Sequence, residues 1–380
     1  MTTLETRDAS LMKPLENKIQ IVVGISGGVD SSVAAWCLKE QGFDVIGLFM
    51  KNWEEEDNLS YCNATEDLAS ATETCERIGI PLKTVNFSYE YWEKVFSVFL
   101  AEYRKGHTPN PDVLCNREIK FREFLDFATD LGAELIATGH YARTRKQGKL
   151  TQLLKGSDPD KDQSYFLHQI PQEALARTVF PIGDLKKTEV RALARRLDLP
   201  NSDRKDSTGI CFIGERRFKE FLSRYLPKHP GKIRTLRGEI VGEHDGLWFY
   251  TLGQRHGLNI GGAGKAWYVV RKDMSRNILY VVQGHNDTAL MRTSVRCVAP
   301  YWISGHIPSP TIVNCAAKVR YRQADQPCRL SCQNSNQIQV DFDNAQRAVT
   351  PGQSVVLYDD EIVLGGATIS AMSDTTLADH

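Results

Sequence analysis

The stretch Ile19-Gln20-Ile21-Val22-Val23-Gly24-Ile25-Ser26-Gly27-Gly28-Val29-Asp30-Ser31-Ser32 decides how this chain is read. Ile19–Ile25 is apolar and β-branched almost throughout, as in a strand buried on both faces. A glycine turn follows, and a helix runs through Val33–Lys39. A turn between a strand and a helix leaves free N–H groups beside the positive helix end, which is an anion site. Gly27 and Gly28 permit the tight turn and close approach of a phosphate, and Ser26, Ser31 and Ser32 add hydroxyls. No Gly-Lys-Ser/Thr ends the loop, so it is not a Walker loop. Asp30 is the odd member, since its charge repels a phosphate; a metal or an N-cap role would resolve that. The bland alternative is a glycine turn with a serine cap.

Outward from this loop, short apolar runs alternate with helical patterns. Asp44–Met50 and Pro81–Phe87 are predicted strands, as is Glu134–His140. Cys62–Ile78, Tyr89–Arg104, Arg117–Leu131, Lys186–Leu197 and Arg216–Leu226 are predicted helices. Such alternation argues a parallel sheet covered on both faces. After Pro227 long helical periods vanish and Gly, Pro and Asn become frequent. Trp267–Arg271 and Ile278–Val282 flank a turn and predict a hairpin, and the chain from Thr293 to Ser370 is short β-rich segments such as Ile338–Phe342 and Ser354–Tyr358. The expected organisation is a catalytic domain over 1–226, a central domain over 227–289 and a C-terminal β-barrel over 290–380.

The 380 residues suggest two or three domains, and a chain 41% hydrophobic and 25% charged is an ordinary globular one. No apolar run approaches the roughly 18 residues of a membrane helix, so no membrane partner is expected. The first residues lack an apolar core and carry Glu5, Asp8 and Glu16, so neither a secretion signal nor a transit peptide is read there and the expected compartment is the cytoplasm. Net charge is zero, with 47 basic against 47 acidic residues, yet Lys186 to Arg237 holds 15 Lys and Arg against 6 Asp and Glu. That local excess fits a polyanion partner, or a set of solvated helix faces.

Nine cysteines are scattered with no C-x-x-C pair, so no permanent metal is expected and most should be reduced, packed thiols. Two stand out. Cys115 lies in Thr108-Pro109-Asn110-Pro111-Asp112-Val113-Leu114-Cys115-Asn116, where two prolines stiffen the loop. With Asn116 as N-cap of a helix from Arg117, Cys115 would sit at a helix N-terminus, where the dipole, Arg117 and Lys120 favour a thiolate. Asp112 could move a proton or orient a substrate, although its charge opposes the thiolate. Cys211 lies among apolar neighbours between glycines, bracketed by Arg204, Lys205, Arg216 and Arg217. Two polarised thiols far apart in sequence can meet and exchange a disulfide; packed structural cysteines are the alternative.

SGGVDS after a strand resembles the signature of the PP-loop ATPases. That resemblance implies a Rossmann-like adenine-nucleotide α-hydrolase fold and cleavage of ATP between its α and β phosphates, with the substrate adenylated. The loop alone does not choose among NAD synthetases, GMP synthetases, tRNA-lysidine synthetases and tRNA thiolases. GISGGVDSS, GLFMKNW, TPNPDVLCN, ATGHYAR, KDQSYFL, DSTGICFIGER, TLGQRHGL, VRYRQ and TPGQ together are similar to the bacterial tRNA-specific 2-thiouridylases, from Gly24 to about Gly366.

The resemblance implies ATP, accompanied by Mg2+, bound at Gly24, Ile25, Ser26, Gly27, Gly28, Val29, Asp30 and Ser31, with Met50 and Gly139 framing the adenosine. It implies that Asn110, Pro111 and Asp112 meet the target base, and that Lys161, Asp162, Gln163, Arg320, Tyr321, His140 and Gln353 meet tRNA. Cys211 would carry a persulfide, and Cys115 would be the second catalytic thiol, able to pair with it in a disulfide. The implied reaction adenylates O2 of the wobble uridine and lets the persulfide sulfur displace it. The base would leave its stack to reach the pocket. The implied partners are tRNAs of the Lys, Glu and Gln type and a persulfide sulfur donor, a relay protein or a cysteine desulfurase. Met50, Gly139 and Gln353 enter only through the resemblance. Read from residues alone, Lys161-Asp162-Gln163 could be a plain helix start, Arg320 and Tyr321 part of a strand, and His140 a core imidazole. Competing classes are an ammonia-using amide synthetase, which needs neither cysteine, a noncatalytic RNA-binding or sulfur-carrier protein, and an iron–sulfur thiolase using Cys62, Cys115 and Cys211.

Overall fold

The computed structural model describes residues 18–54, 63–206, 218–309 and 311–370. Strand β1 (Gln20–Gly24) leads through the glycine turn into α1 (Val29–Glu40), then β2 (Asp44–Lys51), α2 (Asn63–Ile78) and β3 (Leu82–Asn86). A helical stretch over 88–104 follows, built from α3 (Ser88–Tyr91), a π-helical segment Trp92–Phe96 and α4 (Ser97–Arg104). A second over 111–130 joins α5 (Pro111–Cys115), a π-helical segment Asn116–Glu123 and α6 (Phe124–Asp130), and returns to β4 (Leu135–Ala137). After the hairpin β5 (Ala142–Gln147) and β6 (Leu150–Lys155) come α7 (Gln172–Ala176), β7 (Thr178–Val179), α8 (Lys187–Arg196) and α9 (Phe218–Leu222).

The strands β3-β2-β1-β4-β7 form one parallel sheet in that order. Alternation along β1 divides the core: Ile21 and Val23 pack with α1 residues Val33, Ala34 and Leu38, while Val22 faces Leu48, Phe121 and Phe124 on the other side. In α2 the buried Ala71, Cys75 and Ile78 recur at helical spacing. The strand order reverses direction between β1 and β4, and at such a switch point the loops at the strand C-termini diverge and leave a crevice. The loops after Gly24 and Ala137 both open there.

The small central sheet has the order β10-β11-β8-β9, from β8 (Gly231–Thr235), β9 (Ile240–His244), β10 (Trp267–Asp273) and β11 (Ile278–Gln283). The hairpin expected around residue 275 is β10–β11, its turn closed by Asn277 at positive φ. The C-terminal strands β12 (Met291–Trp302), β13 (Ile312–Lys318), β14 (Gln326–Asn334), β15 (Gln337–Arg347), β16 (Ser354–Asp359) and β17 (Ile362–Ile369) are antiparallel neighbours in the order β12-β15-β14-β13-β16-β17. Pairing of β12 with β17 closes them into a six-stranded barrel around Leu330, Val340, Val355 and Leu357. The α/β fold with a central domain and a C-terminal antiparallel barrel is therefore as expected.

Three local expectations need correction. The helix of Cys115 begins at Pro111, and its N-cap is Asn110, whose side chain accepts from the Asp112 N–H at 3.2 Å; Asn116 lies inside the helix and donates to the Phe166 carbonyl at 3.1 Å. Proline at the first helical position loses no hydrogen bond, so the helix starts six residues earlier than Arg117. Arg320 and Tyr321 are not in a strand, because β13 ends at Lys318 and they form the turn that follows. The hairpin β5–β6, not foreseen, leaves the first half of the chain to extend the barrel sheet by pairing Leu153 and Leu154 with Val363 and Ile362.

Candidate active site

The Gly24–Gly28 loop is held from beneath by its own peptide groups. Gly27 has φ +74, and a Cβ there would lie 2.5 Å from the Asp67 carbonyl oxygen, so only glycine fits. Its carbonyl accepts from Ser70 Oγ at 3.0 Å, Asn201 Nδ2 at 3.0 Å and Arg204 Nη1 at 3.1 Å. With that carbonyl fixed on the protein side, the N–H of Gly28 in the same peptide plane is turned the opposite way and donates to Ser26 Oγ at 3.4 Å. Gly28 itself has φ −91 and ψ 160, which any residue adopts, and a Cβ there would meet only Ser26 Oγ, at 3.3 Å. The demand for glycine at 28 comes from whatever fills the space above it. Of the three hydroxyls, Ser31 and Ser32 are buried and donate to the Gly28 carbonyl, each at 3.0 Å, leaving Ser26 exposed at the rim.

Residues from neighbouring strands fit this cradle closely. A Cβ on Gly24 would approach Met50 Cε to 3.3 Å and Phe124 to 3.5 Å, so both side chains floor the loop. A Cβ on Gly139 would strike the backbone of Ser31 and Asp30 at 2.7 and 2.8 Å, so glycine there lets the β4 loop lie against the start of α1. Ile25 and Val29 are buried and anchor the turn. The open space, the free helix end and the exposed Ser26 hydroxyl are what a nucleotide phosphate requires.

Asp30 lies in the first turn of α1, whose N-cap is Gly28, and its charge is met by protein partners. Both its oxygens accept from Lys187 Nζ at 2.8 Å, and Oδ1 also accepts from the Tyr141 hydroxyl at 2.8 Å. Burial, with the Asp30 charge next, raises the Tyr141 phenol above its usual range and keeps it a donor. The same Lys187 ammonium, itself buried, reaches Asp206 Oδ1 at 2.7 Å, where Arg191 also converges at 2.6 Å, and Lys161 donates to Oδ2 at 2.7 Å. Burial alone would raise the Asp206 carboxyl, but the hydrogen bonds from Lys161 and Lys187 and their charges outweigh it and hold it well below the carboxylate range. Lys187, Asn201 and Asp206 were missed from the sequence, and Arg204 was read only as a charge beside Cys211. Their signal was there, in the first half of the basic stretch, but much of that excess is spent in ion pairs: Arg195 with Asp203, Arg204 with Asp67, Lys219 with Asp245 and Lys232 with Glu243.

The loop ahead of Cys115 is clamped from three sides. Gln353 Nε2 donates to the carbonyls of Thr108 and Pro109 at 2.7 and 3.3 Å, and the Thr108 N–H donates to the Pro351 carbonyl at 2.9 Å. Lys272 Nζ of β10 donates to the Gly106 carbonyl at 2.8 Å, and Thr251 Oγ1 lies 3.4 Å from Thr108 Oγ1. Asn110 caps the helix of Cys115. Gln353 therefore acts on the loop from the barrel. Cys115 has no exposed surface and sits at the end of α5, one turn inside the helix and not at its N-terminus. Asp112 is in the first turn beside it, and Pro111 is N1.

The remaining expected residues hold the surroundings together. Asp162 is 6% exposed; its Oδ1 accepts from the N–H groups of Gly156 and Ser164, and its other oxygen lies 3.5 Å from Lys318 Nζ, so the carboxylate faces inward. Gln163 Oε1 accepts from the Tyr141 N–H, and Lys161 is engaged by Asp206. His140 is buried, with Nδ1 2.8 Å from Thr138 Oγ1 and Nε2 3.5 Å from Lys120 Nζ; burial and then that ammonium push its pKa well below the usual imidazole value, so it is neutral. Arg320 Nη2 donates to the Ala348 carbonyl at 2.9 Å, and Tyr321 packs on Phe166 with ring centroids 4.4 Å apart. Cys211 and Cys62 lie outside the described residues.

Three family models match in succession: the tRNA methyl transferase HUP domain over 19–215, the tRNA methyl transferase PRC-barrel domain over 219–283 and the aminomethyltransferase beta-barrel domain over 292–369. The tRNA-specific 2-thiouridylase MnmA of Methylococcus capsulatus is 59% identical over 357 residues, covering 93% of this chain and 96% of that one. Its namesake in Nitrosomonas eutropha is 57% identical, covering 93% and 99%, and that of Pseudomonas entomophila 56%, covering 93% and 95%. A solved 4-thiouridine synthetase–RNA complex with bound ATP is 18% identical, with a TM-score of 0.33 over 55% of this chain and 50% of that one. Among the described residues no helix is long and apolar enough to cross a membrane. With whole-length identity on this scale and three consecutive domain matches, the chain belongs to the tRNA-specific 2-thiouridylase family.

Proposed function

We propose that this chain uses ATP to replace the C2 oxygen of a tRNA wobble uridine by sulfur, releasing AMP and pyrophosphate. One observation carries the reading: the helix that holds Cys115 also supplies Phe124 to the floor of the Gly24–Gly28 loop, so the thiol and the nucleotide cradle share one rigid body. The uracil oxygen is a poor leaving group. Transfer of AMP to it makes a good one, and a persulfide sulfur is a soft nucleophile for the carbon it leaves. Cys211 carries that persulfide. It follows Asp206 by five residues, which span at most about 18 Å, and Asp206 is tied to Asp30 through Lys187. Cys115 resolves the persulfide, leaving a Cys115–Cys211 disulfide, and Asp112 moves the proton.

ATP lies on Gly24–Ser31, with Mg2+ accompanying its phosphates and Met50 and Gly139 beside the adenosine. Asn110 and Pro111 present the target base. Lys161, Arg320 and Tyr321 meet the RNA, while Asp162, Gln163, His140 and Gln353 support the surfaces that do. The domains divide near 227 and 290. The tRNAs are those of the Lys, Glu and Gln type, the sulfur comes from a relay protein or a cysteine desulfurase, and the enzyme works in the cytoplasm. Incubation of unmodified tRNA with ATP, a persulfide donor and this protein tests the reading. Mass analysis should find one uridine heavier by the difference between sulfur and oxygen. Cys211→Ser should abolish that product and spare tRNA-dependent pyrophosphate release; normal thiolation by Cys211→Ser would refute the persulfide role.

A further inference from the structure

Away from the nucleotide loop, the barrel holds a second pair of thiols. Cys315 on β13 and Cys328 on β14 are direct cross-strand partners, and their sulfurs lie 3.7 Å apart. A disulfide needs about 2.05 Å between sulfurs and a Cα separation that neighbouring antiparallel strands already provide. Cys328 is 5% exposed and Cys315 is partly exposed, so a small oxidant reaches one thiol with the other behind it. The two cysteines close the base of the hairpin whose turn carries Arg320 and Tyr321, and Lys318 at the end of β13 reaches Asp162.

We propose that Cys315 and Cys328 are a redox modification site, oxidised by small hydroperoxides to a cross-strand disulfide that stiffens the Arg320–Tyr321 turn. The first step joins Cys315 sulfur to a peroxide oxygen and breaks the O–O bond, giving a sulfenic acid and, from hydrogen peroxide, water. Cys328 sulfur then attacks the sulfenic sulfur and expels the second water. The two thiols lose two electrons and two protons, and the peroxide is reduced. Hydrogen bonding from Cys328 lowers the Cys315 thiol pKa, which suits it to the first attack. The effect on RNA rests on the reading that Arg320 and Tyr321 contact tRNA; the disulfide itself does not. A turn pre-ordered at its base gives up less freedom on binding, so oxidation tightens the complex.

The experiment treats the full-length protein with stoichiometric hydrogen peroxide, alkylates the remaining thiols and maps the peptides, which separates a Cys315–Cys328 link from one through Cys332 or Cys115. The linked peptide is expected, lighter by two hydrogens, and reversible by dithiothreitol. It should be absent from Cys315→Ser and from Cys328→Val, the second of which keeps the buried volume apolar. The oxidised protein should bind unmodified tRNA at least about threefold more tightly than the reduced one, and peroxide should give Cys328→Val no such gain. If both thiols remain open to alkylation while others oxidise, the site is refuted. If the link forms and affinity is unchanged, its control of the turn is refuted. Arg320→Ala decides separately whether the turn meets RNA: it should weaken binding at least about threefold, and no loss would refute the RNA reading while leaving the disulfide result intact.

Discussion

Lys272→Met isolates one buried charge that joins the central sheet to the loop ahead of Cys115. Lys272 Nζ donates to the Gly106 carbonyl, and Met274 from the same hairpin presses on Gly106. Among the described residues no carboxylate forms an ion pair with this lysine, and burial alone brings its pKa from 10.5 down to about 7. At about 1.36 kcal/mol per pH unit, that displacement is an upper bound of roughly 5 kcal/mol, and water reaching the ammonium reduces it to about half. The sign follows from proton counting. Between about pH 7 and 10.5 the unfolded chain keeps the proton that the folded one has released, so stability rises with pH across this window, by at most about 1.4 kcal/mol per unit. Below about pH 7 both states are charged and the full burial cost is present. Methionine removes the charge, keeps the apolar stem and leaves the Gly106 carbonyl without its donor, a loss of about 1 kcal/mol. Urea unfolding should therefore find the variant about 1–2 kcal/mol more stable than wild type near pH 6, about equally stable near pH 9 and about 1 kcal/mol less stable only above about pH 10.5. A difference that does not change with pH would refute the assignment of a buried, unpaired ammonium.

Gly27→Ala should lower thermal stability and abolish pyrophosphate release together, because its Cβ meets the Asp67 carbonyl and its φ is positive; Gly28→Ala should fold with an unchanged melting temperature and lose ATP binding alone, as read by calorimetry. Asn201→Ala removes a donor to the Gly27 carbonyl and one at 2.8 Å to Ser32 Oγ, and should cost about 1–3 kcal/mol in unfolding free energy and raise KM for ATP severalfold while leaving tRNA affinity unchanged. Gln353→Ala frees the Thr108 and Pro109 carbonyls and should lower kcat for thiolation more than it weakens ATP binding, measured by single-turnover assay. Raising salt should weaken tRNA binding with a steep log–log slope, measured by filter binding; a flat response would refute a phosphate-dominated contact.

Much of the fold was legible because local rules and tertiary demand agree in it. The β-branched run ending at Gly24, the paired glycines and the following helix have few alternative packings, so strand, turn and helix were read correctly and in order. The turn-rich C-terminal segments similarly announced a small antiparallel barrel or sandwich, and the pairing of β12 with β17 decided for the barrel. The register of Cys115 was misread because a proline at 111 serves equally as the end of a stiff loop and as the first residue of a helix, and only the Asn110 cap distinguishes them. Arg320 and Tyr321 were misread because a short β-like pattern does not mark where pairing stops.

The chemistry-bearing residue types and their local setting were thus determined by sequence: a glycine loop at a strand end, a cysteine behind a proline pair, a second cysteine among basic residues. Tertiary structure decided which charges are cancelled and which peptide groups are aimed. Lys187 lies 157 residues from Asp30, and Gln353 lies 244 and 245 residues from the carbonyls it holds. Periodicity extends over one element and says nothing across such separations. Coulomb attraction and hydrogen bonding act over a few ångströms, so their pairings exist only once the sheet, the central domain and the barrel have brought those distant segments into contact.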